Sequence, residues 1–177
     1  MTDDQILETI LTSSFVKADV MRRIRIIREY LEQRFFTPEG TKDLPEFFKA
    51  TKIAEEDQGA INAWGKDFFT SFTKENAYDL IEHVLTKVKD LPTVNLYVPM
   101  EVSPEEAPKL GAWFRRNVGS TILIEVHVEP TTFGGCAFAW NGVYYDFSLR
   151  HYMHNKMTEI RKVLTDYGKA GQTVRAL

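Results

Sequence analysis

The chain has 177 residues, of which 44% are apolar and 27% charged, and a net charge of −3. That length suits one large or two small domains, and the mild acidity gives no electrostatic case for nucleic acid as the main partner. A single cysteine, Cys136, permits no intrachain disulfide and fits a reducing compartment. The opening Met1-Thr2-Asp3-Asp4 lacks the basic-then-apolar order of a signal peptide, and no apolar run reaches membrane-spanning length, so no direct membrane insertion is expected.

In chain order, the first half reads as helices. Val20, Ile24, Ile27, Leu31 and Phe35 recur at steps of three and four and predict a helix over about 17–36. Thr37-Pro38-Glu39-Gly40 breaks it. Leu44-Pro45-Glu46-Phe47-Phe48 opens a short helix with proline near its first turn. Ile61, Trp64, Phe68 and Phe72 predict another from about Ala54, with Gly59 and Gly65 acting against it. Ala77, Ile81, Val84 and Val88 mark a fourth, stopped at Leu91-Pro92.

From Thr93 the period changes. Val94, Leu96 and Val98 alternate as a strand ended by Pro99. Ser103-Pro104-Glu105-Glu106 reads as a capping box with proline at the first helical position, and Ala107, Leu110 and Phe114 give that helix a buried face. Ile122, Ile124, Val126 and Val128 then alternate with Leu123, Glu125, His127 and Glu129, which predicts a half-buried strand. Gly134 and Gly135 permit backbone angles or close approaches that a Cβ forbids. Cys136 to Trp140 is a strand, Asn141-Gly142 a tight turn, and Val143-Tyr144-Tyr145 the strand that pairs back.

Asp146 or Ser148 then accepts hydrogen bonds from the free amides of a final helix, and Asp146 is expected to contribute more because its charge suits the helix N-terminus. Leu149, Met153, Met157, Ile160, Leu164 and Tyr167 form one apolar stripe along that helix. The expected class is α+β: an amino-terminal helical bundle over 1–92, followed by a small α/β domain over 93–177 with the order strand, helix, hairpin, helix.

The chemistry offered by the side chains is thin. His151 and His154 share a helical face, but no further Cys or His completes a metal site. Cys136 with His127 lacks a third group for nucleophilic catalysis. Gly65-Lys66 has neither the glycine spacing nor the Ser/Thr of a phosphate loop, so no nucleotide and no cofactor is expected. Arg22, Arg23, Arg25, Arg28 and Arg34 read as the wet face of their helix, with a grip on phosphates or on an acidic partner helix as the other reading. Adjacent helical residues point about 100° apart, so one of each aromatic pair, Phe35-Phe36, Phe47-Phe48 and Phe68-Phe69, is expected to line a groove.

The ordered set Phe133-Gly134-Gly135, Asn141-Gly142 and Asp146-Phe147-Ser148-Leu149-Arg150 resembles the carboxy-terminal signature of the F-type ATP synthase delta subunit, the family that includes the oligomycin-sensitivity-conferring protein. Asn141-Gly142 stands where the family more often has Gly-Asp, which preserves a tight turn. The likeness covers Thr93 to about Thr165, and the family's opening helix pattern is replaced by Asp4-Gln5-Ile6-Leu7-Glu8-Thr9-Ile10-Leu11. It implies a non-catalytic peripheral-stalk connector, with no cofactor, metal or catalytic residue. Its helical domain would hold amino-terminal helices of the alpha subunits. Its carboxy-terminal domain would hold the carboxy-terminal segments of the b subunits, with Met153, Met157, Ile160 and Leu164 of the last helix as contact residues. The implied location is cytoplasmic, peripheral on the inner face of the membrane through the synthase. Two rivals are an E-subunit-like stalk protein of an archaeal or vacuolar-type ATPase and an RNA-associated module using the Arg22–Arg34 helix.

Overall fold

The computed structural model describes residues 1–37 and 43–173, with side chains to Tyr167. The class is α+β, with nine helices and a four-stranded mixed sheet among the described residues. The chain forms two compact units, 1–93 with 103–125, and 94–102 with 126–177. The boundary expected at 92/93 assigns 103–125 to the second domain, whereas the compact units place that segment in the first.

In the first unit, helix α1 (Asp3–Ser13) is set by a capping box: the Gln5 amide donates to Thr2 Oγ1 at 3.3 Å and the Thr2 amide to Gln5 Oε1 at 3.0 Å. Helix α2 (Lys17–Phe36) runs over the span that its spacing predicts and buries Val20, Ile24, Ile27 and Leu31. Of the breaker that follows it, Pro38, Glu39 and Gly40 lie outside the described residues. Helix α3 (Leu44–Thr51) carries proline in its first turn and ends at Lys52, whose φ is 53°.

The helix expected from Ala54 through Phe72 is two helices, α4 (Glu55–Asn62) and α5 (Gly65–Thr70). Gly65 sits at φ 78°, outside helical space, so the apolar period of Ile61, Trp64 and Phe68 continues across a backbone that turns. Helix α6 (Ala77–Asp90) buries the four predicted residues Ala77, Ile81, Val84 and Val88. The core of this unit joins these faces to Ile6, Ile10, Phe47, Phe48, Phe68 and Leu123, all 2% exposed or less.

Beneath that apolar core lies a charged cluster. Arg23 is 3% exposed and donates to Asp57 at 2.9 Å, to the Ser13 carbonyl at 2.7 Å and to Ser14 Oγ at 2.8 Å. Arg22 holds the same carboxylate twice, at 2.6 and 2.9 Å. Expected as solvated, these two arginines are therefore ion-paired, and Arg23 is buried. Burial pushes the Asp57 carboxyl up, and the hydrogen bonds from Arg22 and Arg23 outweigh it, so it lies below the usual range.

Helix α7 (Ala107–Asn117) supplies a third arginine. Arg115 donates to the carbonyls of Leu11, Ser14 (2.6 Å) and Ile122 (3.0 Å), with its guanidinium 4.4 Å from the Phe15 ring centroid. Gly111 makes room for this approach, since a Cβ there would stand 2.2 Å from the Phe15 Cβ. Of the face expected on α7, Phe114 is buried, while Ala107 and Leu110 are only partly so.

Strand β1 (Thr93–Val98) and strand β2 (Leu123–Val128) join strand β3 (Gly135–Trp140) and strand β4 (Val143–Ser148) in the order β2-β1-β3-β4. β3 runs antiparallel to both β1 and β4, so the mixed sheet is parallel at β1–β2. The strict alternation expected for β2 fails at both ends. Ile122, Leu123 and Ile124 are all 1% exposed or less: Leu123 joins the core of the first unit, and the Ile124 amide donates to the Phe15 carbonyl at 3.0 Å in a parallel bridge with Val16. Val128, expected to be buried, is 49% exposed.

Asp57→Ala is expected to lower the free energy of unfolding by about 3–5 kcal/mol, because it strands the buried Arg23 guanidinium. Chemical denaturation at pH 7 checks this. The Asp57 carboxyl is lowered in the folded state, so its contribution is present above the unfolded value near 3.8 and is lost as pH falls below it. The gap between wild type and variant should therefore shrink at acid pH.

Candidate functional site

The chain enters the hairpin through three consecutive residues in left-handed backbone space: Phe133 at φ 51°, Gly134 at 83° and Gly135 at 75°. Gly134 has only ordinary contact with Leu149, whereas a Cβ on Gly135 would lie 2.3 Å from the Phe147 carbonyl oxygen. β3 and β4 then pair in regular register from Gly135↔Ser148 to Trp140↔Val143. Asn141 at φ 48° and Gly142 at φ 74° form the turn, in the angles that a two-residue hairpin demands.

The helix cap is Ser148. Its hydroxyl accepts from the His151 amide at 3.1 Å at the start of helix α8 (Leu149–Asn155). Asp146, expected to be the stronger cap, instead accepts from the Ser148 amide at 2.8 Å and orients the residue that caps. Hydrogen bonding from Ser148 holds the Asp146 carboxyl below its usual range, with a smaller contribution from His151. The reason is reach: two residues of strand separate Asp146 from the first helical amide.

The single final helix expected is two, α8 and α9 (Met157–Thr173), because Lys156 leaves helical angles at φ −98°, ψ 7°. The apolar stripe is present and uncovered. Leu149, Met153 and Met157 are 40–45% exposed, Leu164 is 66% exposed and Tyr167 76%. Ile160 is half-buried.

The first unit carries a shallow apolar groove between α2 and α6. Buried Leu31, Ala77 and Ile81 line it together with exposed Phe36 and Tyr78, whose rings are 5.5 Å apart. Arg28 and Glu32 edge it, and Arg28 reaches Glu32 and Glu82 at 3.4 Å. The expectation that one aromatic of each pair lines a groove holds for Phe36, and for Phe69 in a second cleft with Tyr30 and Arg34. It fails for Phe47 and Phe48, which are both buried.

The candidate reactive groups do not converge. Cys136 lies on the sheet face opposite Tyr97 and His127, and burial pushes its thiol up. His151 sits 3.9 Å from Asp146 and 2.9 Å from the Asn155 amide nitrogen, and no group of three or more metal-ligating side chains assembles among the described residues. No helix among the described residues is long and apolar enough to cross a membrane. No protein-family model matches the chain, and no curated protein matches it.

Gly135→Ala is expected to destabilise the protein by about 1–3 kcal/mol, because its added Cβ meets backbone at a positive φ. Gly134→Ala should cost less, and equal denaturation midpoints for the two variants would refute the difference. Ser148→Ala should cost about 0.5–2 kcal/mol through loss of the cap, and Asp146→Ala less, as measured by thermal unfolding followed by circular dichroism.

Proposed function

We propose that this chain is a delta-type subunit of a rotary ATP synthase: a non-catalytic peripheral-stalk connector that stops the catalytic head from turning with the rotor. In this reading 1–92 is the helical bundle that holds alpha-subunit amino-terminal helices. Residues 93–177 are the α/β domain that holds the carboxy-terminal segments of the b subunits, and the protein is peripheral on the inner face of the membrane. The observation that carries the reading is the uncovered apolar stripe of Leu149, Met153, Met157, Leu164 and Tyr167, which follows the Gly134-Gly135 hairpin and its Ser148 cap. Apolar surface of that extent on consecutive helices is suited to a partner helix rather than to water.

The groove between α2 and α6 supports the other half of the reading. Its apolar lining with charged edges is the form of site that takes the apolar face of an amphipathic helix. The engagement of Arg22 and Arg23 with Asp57 weighs against the RNA-associated alternative, since it removes two cations from the cluster on which that alternative rests.

Titration calorimetry with cognate peptides tests the proposal. The full chain should bind an alpha-subunit amino-terminal peptide and a b-subunit carboxy-terminal peptide. Leu164→Glu should weaken the second by at least about tenfold and leave the first unchanged, whereas Phe36→Glu should do the reverse. Binding to neither peptide overturns the proposal, as does tight binding to RNA that falls steeply with salt.

A further inference from the structure

The sheet of the second unit ends on β4, and that edge has an unusual charge setting. Residues 94–102 and 126–149 contain Glu101, Glu129 and Asp146 and no lysine or arginine. Edge strands are commonly guarded by charged side chains, lysine above all, by proline or by a bulge; the one charge on Val143–Ser148 is the acidic Asp146, and the strand's register against β3 is regular throughout.

The two faces of that edge differ in kind. On one face Tyr144 lies opposite Ala139 and Asn95, and Asp146 opposite Ala137 and Tyr97. The two alanines are small, so the Tyr97 and Tyr144 rings meet across β3 at 6.0 Å. His127 stacks on Tyr97 at 5.1 Å and is fixed by Asn95 at 3.0 Å. Burial raises the pKa of the Tyr144 hydroxyl, and the nearby Asp146, Tyr97 and Glu129 raise it further. The other face presents Val143, Tyr145 and Phe147, which are 40–62% exposed.

The backbone direction follows from the turn. A two-residue turn makes Trp140 and Val143 a hydrogen-bonded pair, so by alternation Tyr144 and Asp146 turn their N–H and C=O groups away from β3. The next outward amide, that of Ser148, is already taken by the Asp146 carboxylate.

We infer that β4 binds an extended protein segment whose side chains alternate basic and apolar, added antiparallel as a fifth strand. Its basic side chains lie over Tyr144 and Tyr97, beside Glu129 and Asp146, and its apolar ones against Val143, Tyr145 and Phe147. Charge decides the occupant. Aromatic rings flanked by carboxylates attract guanidinium and ammonium groups. A second copy of β4 would bring another Asp146 and no cation. This inference does not rest on the stalk reading and can stand without it.

The probe is a labelled Arg-Val-Arg-Val-Arg peptide, titrated against the full chain by fluorescence anisotropy. Residues opposite Tyr144 and Asp146 share their face and point their amides at β4. N-methylation of the arginine amides should therefore abolish binding, and N-methylation of the valine amides should leave it intact. The double variant Glu129→Gln with Asp146→Asn keeps the acceptor oxygens that serve Thr131 and Ser148, and should lose about tenfold or more in affinity. Tyr144→Ala should weaken binding while its circular dichroism at the assay temperature shows the chain folded. Four results would each overturn the inference: equal binding of Glu-Val-Glu-Val-Glu, indifference to the double variant, inhibition by valine rather than arginine N-methylation, or self-association through β4 that the peptide does not displace.

Discussion

Arg23 is the constraint on which the first unit depends. An ionised guanidinium at 3% exposure is costly to desolvate, and it persists because it donates to the Asp57 carboxylate, the Ser13 carbonyl and the Ser14 hydroxyl, with Glu56 at 3.4 Å. The arrangement also solves a local problem. Helix α1 ends without glycine or any left-handed residue, so its terminal carbonyls need donors from elsewhere. Arg23 from α2 and Arg115 from α7 provide them, while Asp57 on α4 holds Arg23 in place. Four helices are thereby fixed around residues 11–15 by directional bonds, whereas the apolar core around them would tolerate sliding.

How much of this was legible in the sequence follows from the range of the interactions. α2, α6 and the Asn141-Gly142 hairpin were readable because their causes are local: apolar period in the helices, turn chemistry in the hairpin. The break before Gly65 was obscured because the apolar spacing continues through it. The pairing of Arg23 with Asp57 was invisible because 34 residues separate them, and a run of arginines on a helix ordinarily reads as a wet face. The run of three buried residues from Ile122 to Ile124 breaks the alternation for a similar reason, since the Phe15–Val16 segment that pairs with Ile124 lies about a hundred residues earlier in the chain.

The candidate surfaces show the same division. The stripe from Leu149 to Tyr167 could be listed from spacing alone, but that it lies uncovered is a fact of packing. Charge favours Asp146 as the cap of the last helices, whereas reach decides for Ser148. The polar face of the sheet passed unnoticed. Tyr97, His127, Glu129, Tyr144 and Asp146 come from three separate stretches of chain, and only strand register brings them to one face.

The interruption at Lys156 sets a geometric condition on whatever covers the last helices. Its amide still bonds back to Tyr152 at 3.1 Å, and its carbonyl accepts from Ile160 at 3.0 Å, so the hydrogen-bond ladder is bridged while the rotation per residue is not. The apolar positions before and after it therefore lie along two lines rather than one. A straight rod docked along Leu149 and Met153 would leave the line of Leu164 and Tyr167 behind. Full coverage requires a binding surface that is itself bent, or two separate segments that each follow one line.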